Sequence, residues 1–398
     1  MIDFLEKQLM RRISSDQWIE CRDRLNNLPP IWKMGNGIHI VTGYREACDV
    51  LANKKISSEF IRKLSDEALR FGRIDRVNRI IKNSFALRDG VEHLFLRELV
   101  APIFLPKQLQ TIFGKTEEDA KNLIDGALEK ADSIDIVEVL ARRLPILVNC
   151  QILGLPYSKQ DELRLMIDAL VAEIEFDPIN RNETELLNLI ELIDSFKSKP
   201  VPRWLDPLVT ALHQNRISEL DFEATILLLM ISGYGTATVG IGSSALNLFA
   251  QDQAFSKLKN GTYQTENFIY ESLRLNPPVT LLSRSAAENL EIGDHAIPKN
   301  ELILIHMGAA CRDPNIFEDP HDFNPHRINK AQLIFGGGAH FCLGRLIGLH
   351  QIEASLRALL NYPLLIQAPI QNIAFHPYKI IQGPLSLPVK IDAQTMLT

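Results

Sequence analysis

The segment from Ala224 to Gln251 carries no formal charge. A stretch this long and apolar either spans a bilayer or lies buried inside a protein large enough to surround it. Lys and Arg do not cluster at either end, as they do beside membrane spans. It would also be a lone span in the middle of a water-compatible chain. Gly233, Gly235, Gly240 and Gly242 interrupt it, and each costs a helix about 1 kcal/mol relative to Ala. The segment therefore reads as a buried central helix. Glycines kept inside a helix have a packing reason. Gly233, Thr236, Gly240 and Ser243 recur at helical spacing, giving one small, flat face against which a broad planar ligand could lie.

The rest of the chain can enclose such a helix. With 398 residues and 45.0 kDa it has material for a large core, and no linker, repeat or low-complexity tract divides it, so it reads as one domain, 1–398. A net charge of -6 advertises no nucleic-acid surface. Cys21, Cys48, Cys150, Cys311 and Cys342 are scattered without framework spacing, which fits a reducing, cytoplasmic setting. The first residues, "MIDFLEKQLMRRISSDQW", are charged throughout and read as an amphipathic helix, neither a secretory signal nor a membrane anchor.

Periodicity gives a mainly α fold with a small β portion. "GNGIHIVTG" (Gly35–Gly43) reads as a turn and strand, and "YREACDVLAN" as the helix after it. The pattern is mostly helical from Glu92 to Ser195, broken at Leu153–Ser158, and helical again from Ser218 to Asn276. "RNETELLNLIELIDSF" is amphipathic and "KPVPRW" a proline-rich loop. Strand-like residues gather between Val279 and Ile305 and in "YKIIQGPLSLPVKI" near the C-terminus.

One cysteine stands in an unusual setting, "FGGGAHFCLGR" (Phe335–Arg345). A lone cysteine is by default a small core residue. Here Gly336, Gly337 and Gly338 allow a tight turn with room for something bulky beside it. Amides near Cys342, at the start of the following helix, favour thiolate over thiol. There are no Cys/His partners at zinc spacing. A single axial thiolate on haem iron fits both this loop and the small-residue face of the central helix.

Phe335-Gly-Gly-Gly338-Ala-His340-Phe-Cys342-Leu-Gly344 resembles the haem-binding loop of the cytochrome P450 family, Phe-Gly-x-Gly-x-[His/Arg]-x-Cys-x-Gly. Other landmarks follow in order. Glu271-Ser-Leu-Arg274 is similar to the family's Glu-x-x-Arg. Phe323-Asn-Pro325-His-Arg327 resembles the segment whose arginine joins that pair. "DGVEHLFLR" (Asp89–Arg97) resembles the His-x-x-x-Arg of another helix, and "GPLSLPV" (Gly383–Val389) the C-terminal hairpin of soluble bacterial members.

The resemblance covers nearly the whole chain and implies the cytochrome P450 fold, with haem b (iron protoporphyrin IX) between the central helix and the cysteine loop. It implies Cys342 as iron ligand and Phe335, Gly336, Gly344 and Gly233 around the cofactor. His93, Arg97, Arg284 and His340 become haem-propionate partners, and Glu271, Arg274 and Arg327 a structural brace. Taken alone, Glu271 and Arg274 also read as an exposed i,i+3 pair, and His93 and Arg97 as a solvated face.

Where the family carries an Ala/Gly-Gly-x-Asp/Glu-Thr run on its central helix, this chain has Ser232-Gly233-Tyr234-Gly235-Thr236. The threonine is present and the acid is replaced by Gly235. Thr236 either serves proton delivery or bonds back to its own helix, and a local distortion would allow both. Tyr234 reads as a packing residue pointing away from the haem. By resemblance the substrate pocket is walled by Ser57–Ala86, Val171–Phe196, Met230–Thr236 (Met230 and Ser232 named), Val279–Leu282 and Ile380–Ile381, favouring a neutral, mid-sized, mostly hydrophobic metabolite. The implied reaction is an O2-dependent monooxygenation in bacterial specialised metabolism. The alternatives are oxidative coupling or ring closure without oxygen insertion, and a non-catalytic haem-binding role. Electrons would come from a ferredoxin-type donor with its reductase, docking near Arg97, His326, Arg327, His340 and Arg345; no nucleic acid or membrane partner is expected.

Overall fold

The computed structural model describes residues 29–35, 37–63, 74–175, 182–327, 332–376 and 380–392. The N-terminal amphipathic segment, Cys21 and parts of two expected pocket walls, 64–73 and 176–181, lie outside the described residues. The described chain groups into two compact units interleaved in sequence. One takes residues up to Ile56, Glu117–Leu144 and Thr236 onward; the other takes Ser57–Thr116 and Pro145–Gly235.

The first unit holds the sheets. Its largest runs in the order Ile31–Lys33, His39–Val41, Leu302–His306, Leu281–Ala286, Ile56–Ser57. His39–Val41 pairs parallel with Leu302–His306, His39 opposite Ile303, and Leu281–Ala286 pairs antiparallel with the same strand, Leu282 opposite Ile305. In a smaller sheet Pro388–Ile391 lies between Ser133–Asp135 and Leu364–Ile366. The expected strands near His39, 279–305 and the C-terminus are present. The three-residue strands at 31–33, 133–135 and 364–366 are too short to show a period in sequence.

The core of this unit forms around helix Gly235–Ala250, with Leu273 from helix Thr265–Leu275 and Ile352 from helix Arg345–Leu359. Glycine decides how closely they approach. A Cβ on Gly240 would sit 2.8 Å from Ile352 Cδ1 and 3.5 Å from Leu273 Cδ2, and one on Gly242 3.0 Å from Pro384. Ser243 is fully buried. The small face predicted to receive a planar ligand is thus filled at Gly240 by the side chains of Ile352 and Leu273. Small residues admit neighbours of either kind, and spacing does not say which.

The second unit is helical. Its elements include Asp75–Lys82, Gly90–Val100, Leu144–Leu153, Gln160–Ile174, Glu183–Ser195, Asp206–His213 and Glu219–Ser232. Asn182 caps the expected amphipathic helix by accepting from the Glu185 amide at 3.3 Å. Ser218 and Asp221 form a reciprocal box at the start of Glu219–Ser232, which fixes where the apolar run becomes helical. That run does not continue unbroken to Ala250. It stops at Ser232 and resumes at Gly235.

Candidate functional site

The cysteine loop is built from its glycines outward. Gly336 (φ +75°) and Gly338 (φ +59°) occupy the left-handed region, and a Cβ on Gly338 would collide with the Leu51 carbonyl. The loop closes on itself: the Cys342 amide donates to Phe335 O at 2.9 Å, Phe341 N to Gly338 O at 3.2 Å, and Gly336 N to Leu333 O at 2.8 Å. Two amides expected to serve the sulfur are therefore spent inside the loop. The amides after Cys342 lead through Gly344, the cap, into helix Arg345–Leu359. Phe335 meets the Tyr270 ring edge-on at 6.0 Å, and His340 closes a short turn beside it, half-buried.

Among the described cysteines the loop thiol is set apart. Cys150 and Cys311 are buried, and desolvation pushes their thiols up to about 11 and about 12. Cys48 is exposed but also raised, by desolvation first and then by Asp49 and Glu46. Cys342 is exposed on its glycine loop. No group of three or more His, Cys, Asp or Glu among the described residues is arranged to hold a metal ion by itself. One thiol presented on an exposed glycine loop, with no other metal-binding side chains grouped around it among the described residues, suits a metal that arrives with its other ligands attached, as haem iron does, so these residues fit the implied cofactor.

Behind the loop stands a buried ion group. Arg274 grips Glu271 bidentately, Nε to Oε2 at 2.8 Å and Nη2 to Oε1 at 2.9 Å. Arg327 Nε adds a bond to Glu271 Oε1 at 3.0 Å, and the Asn324 amide one at 2.8 Å. The remaining guanidinium donors tie down backbone: Arg274 to Cys311 O, Pro320 O and Asp322 O, Arg327 to Glu318 O, Asp319 O and Asp322 O. The structure thus brings Glu271, Arg274 and Arg327 together, with Glu271 and Arg274 buried rather than on an exposed helix face and Arg327 half-buried.

Arg284 lies in the strand Leu281–Ala286, half-buried, its Nη1 donating to Ser283 O at 2.7 Å. Val279 bridges to Ile381, and Thr280 N donates to Ile380 O at 2.8 Å. The pocket residues Val279, Ile380 and Ile381 therefore meet, with Leu282 on the adjoining strand. In the other unit, His93 and Arg97 share one face of helix Gly90–Val100, and the buried His93 ring is oriented through Nδ1 by Phe85 O at 2.9 Å. If that nitrogen donates, a neutral ring presents Nε2 only as an acceptor, and imidazolium is required to donate to a carboxylate.

At the interruption of the central helix the order of hydrogen bonds changes. Tyr234 N donates to Ile231 O at 3.2 Å, three residues back, not to Met230 O. Asn149 Nδ2 donates to Met230 O instead, at 2.7 Å. The open side of Gly233 faces Asn149, whose Oδ1 would be 2.7 Å from a Cβ there. Met230 is fully buried, while Ser232 is exposed and bonds back to Leu228 O at 2.5 Å. Tyr234 is buried and its hydroxyl donates to Asp168 at 2.9 Å, beside Arg164. Gly235 and Thr236 follow directly, both half-buried. Asn149 and Asp168 carried no sequence motif. The one available signal was the presence of two amides, Asn149 and Gln151, inside the otherwise apolar "LPILVNCQIL", because buried polar groups need partners.

Comparison with known proteins finds similarity over most of the chain. The family model "Cytochrome P450" matches residues 249–367, which include the buried ion group and the cysteine loop. The chain is 29% identical over 376 residues to 6-deoxyerythronolide B hydroxylase of Saccharopolyspora erythraea, covering 91% of this chain and 92% of that one. It is 27% identical over 362 residues to the polyketide biosynthesis cytochrome P450 PksS of Bacillus subtilis, covering 89% of each. The solved structure of the Bacillus subtilis 168 bacillaene polyketide synthase cytochrome P450 PksS superposes with a TM-score of 0.81 at 25% identity, over 94% of this chain and 96% of that one. With a cysteine loop, a braced Glu-x-x-Arg group and relatives matched over nearly their full length, the chain is similar to the cytochrome P450 oxidoreductases.

Proposed function

We propose that the protein is a haem b monooxygenase, one catalytic domain across residues 1–398, that hydroxylates a neutral, mostly hydrophobic metabolite of the polyketide class. The observation that carries this is the broken central helix immediately before Thr236, in a chain that also carries the Cys342 loop. The names of the two relatives, a hydroxylase and a polyketide-biosynthesis enzyme, support the substrate class. A haem held by the Cys342 sulfur would supply O2 activation when electrons are delivered to it.

The chain's own residues have the remaining tasks. Cys342 supplies the sulfur. Arg284, His340, Arg97 and His93 would partner the two haem carboxylates, whose burial otherwise costs free energy. Phe335, Gly336 and Gly344 would give the cofactor room, whereas the open side of Gly233, expected to do the same, is taken by Asn149. Thr236 would hold a proton at Oγ1 next to the break in the central helix. Met230, Ser232, Val279, Leu282, Ile380 and Ile381 orient the substrate. The balance is R–H + O2 + 2 e⁻ + 2 H⁺ → R–OH + H2O, the electrons coming from a ferredoxin-type donor and its reductase. Of the cations expected to steer that donor, Arg327 is committed to Glu271 and Arg345 donates to Tyr270, while His326 is exposed. A cytoplasmic location fits the cysteine usage.

One observation favours a second reading. Gly235 leaves the relay without its acid, and oxidative coupling inserts no oxygen and makes less demand on it. Turnover under isotopically heavy O2 separates the two. A product one heavy oxygen atom heavier supports hydroxylation; an unlabelled product two hydrogens lighter than substrate overturns it in favour of coupling.

A further inference from the structure

We propose that Asn149 is the positioning residue that holds the central helix broken at Gly233–Tyr234, and so sets the backbone that leads into Thr236. The inference rests on the reading that Thr236 serves proton delivery. In an uninterrupted α-helix the Met230 carbonyl accepts from the amide four residues on, that of Tyr234. Here the Asn149 side chain occupies that carbonyl at 2.7 Å, and the Tyr234 amide falls back to Ile231 O at 3.2 Å. Asn149 is buried, 1% exposed, so its amide cannot exchange this bond for water, and leaving it unpaired carries the full desolvation cost.

Two further contacts make the break a built feature. Gly233 is the residue that lets Asn149 reach the carbonyl: any side chain there meets Asn149 Oδ1 at 2.7 Å. On the other side of the break Tyr234 is buried, with its hydroxyl donating to Asp168 Oδ1 at 2.9 Å, and Asp168 is paired with Arg164 at 3.4 Å. The residue at the break is thus anchored by its side chain to helix Gln160–Ile174, and the carbonyl before it to helix Leu144–Leu153. With Gly235 supplying no carboxylate, the backbone at the break is what remains to arrange donors and acceptors next to Thr236, and Asn149 acts on it through Met230.

The test compares wild type with Asn149→Leu, which keeps the size and removes the donor, and with Gly233→Ala, which displaces the same amide. Amide hydrogen exchange over 230–236 is read first. Both variants should let Tyr234 N–H return to Met230 O and slow exchange there about 2–12-fold, the factor a net hydrogen bond supplies. The double variant should be no slower than either single one, because both remove the same contact. Peroxide released per electron consumed is read second, and should rise in both variants while the thiolate Soret band of the CO complex is unchanged. Unchanged exchange and unchanged peroxide release in Asn149→Leu overturn the proposal, as does a fully additive double variant. If Asn149→Leu does not fold, Gly233→Ala decides alone by the same two measurements. Slowed exchange without a change in peroxide release keeps Asn149 as the cause of the break but overturns its link to Thr236. A wild type lacking the thiolate band overturns the haem reading instead, and leaves the exchange result standing.

Discussion

Glu271 is the residue on which most of the proximal framework converges. It accepts from Arg274, Arg327 and the Asn324 amide, and the two arginines then hold five backbone carbonyls between Cys311 and Asp322, that of Asp322 shared by both. Removing one member of a buried charged group leaves the others desolvated and unpaired, at a cost of about 3–5 kcal/mol. Glu271→Ala should therefore lower the urea midpoint by that equivalent and reduce haem bound per chain. A stable, fully loaded variant changed only in substrate preference would refute the structural role. Cys342 is tested differently. Cys342→Ala should abolish the red-shifted Soret band of the reduced CO complex, while Cys311→Ala and Cys150→Ala, whose thiols burial holds protonated, should keep it. Retention of the band in Cys342→Ala would assign the ligand elsewhere.

At the scale of elements, two charge clusters tie segments together and respond to acid in different ranges. Arg76 and Lys197 bridge helices Asp75–Lys82 and Glu219–Ser232 to Asp194 and Glu223: Arg76 meets Asp194 at 2.5 Å and Glu223 at 2.9 Å, and Lys197 meets Glu223 at 2.7 Å. The Arg76 hydrogen bond, with Lys197, holds the Asp194 carboxyl below its ordinary value. At Asp221 burial pushes upward, but Ser218 and Arg88 outweigh it and the net shift is downward. Carboxyls depressed in the folded state add stability above their unfolded value of about 3.9 and lose it as pH falls through the folded one.

In the sheet unit, His39 Nε2 meets Glu301 at 2.5 Å and His39 Nδ1 meets His295 Nε2 at 2.8 Å, joining hairpin Leu290–Ile297 to the main sheet. His295 is lowered by burial, then by His39 and Lys33, so its contribution is full above the unfolded value of about 6.5 and is lost as pH falls below it. Stability should therefore decline in two stages on acidification. His295→Asn should flatten the stage below about pH 6.5, and Asp194→Asn the stage below about pH 4. An unaltered pH profile in both variants would contradict these assignments.

For the whole molecule, local spacing and long-range contact divided the information between them. The cysteine loop was legible because its glycines, cysteine and following helix are adjacent in the chain, and their backbone requirements are local. Glu271 and Arg274 were legible as a pair for the same reason, one helical turn apart. The charge-free segment determined that a helix would be buried, since no solvated face could be made from it. What fills its small face was decided by tertiary structure: Ile352 and Leu273 reach Gly240 from distant helices. Asn149 lies far from Met230 in sequence, as Asp168 does from Tyr234, and no period or motif connects them. The sequence by itself determined that this chain makes a glycine-rich cysteine loop, a glutamate–arginine pair one helical turn apart and a buried central helix. Only the tertiary structure decided where that helix breaks, because a carbonyl gives up its helical partner only when another donor is brought within hydrogen-bonding distance and sealed from water.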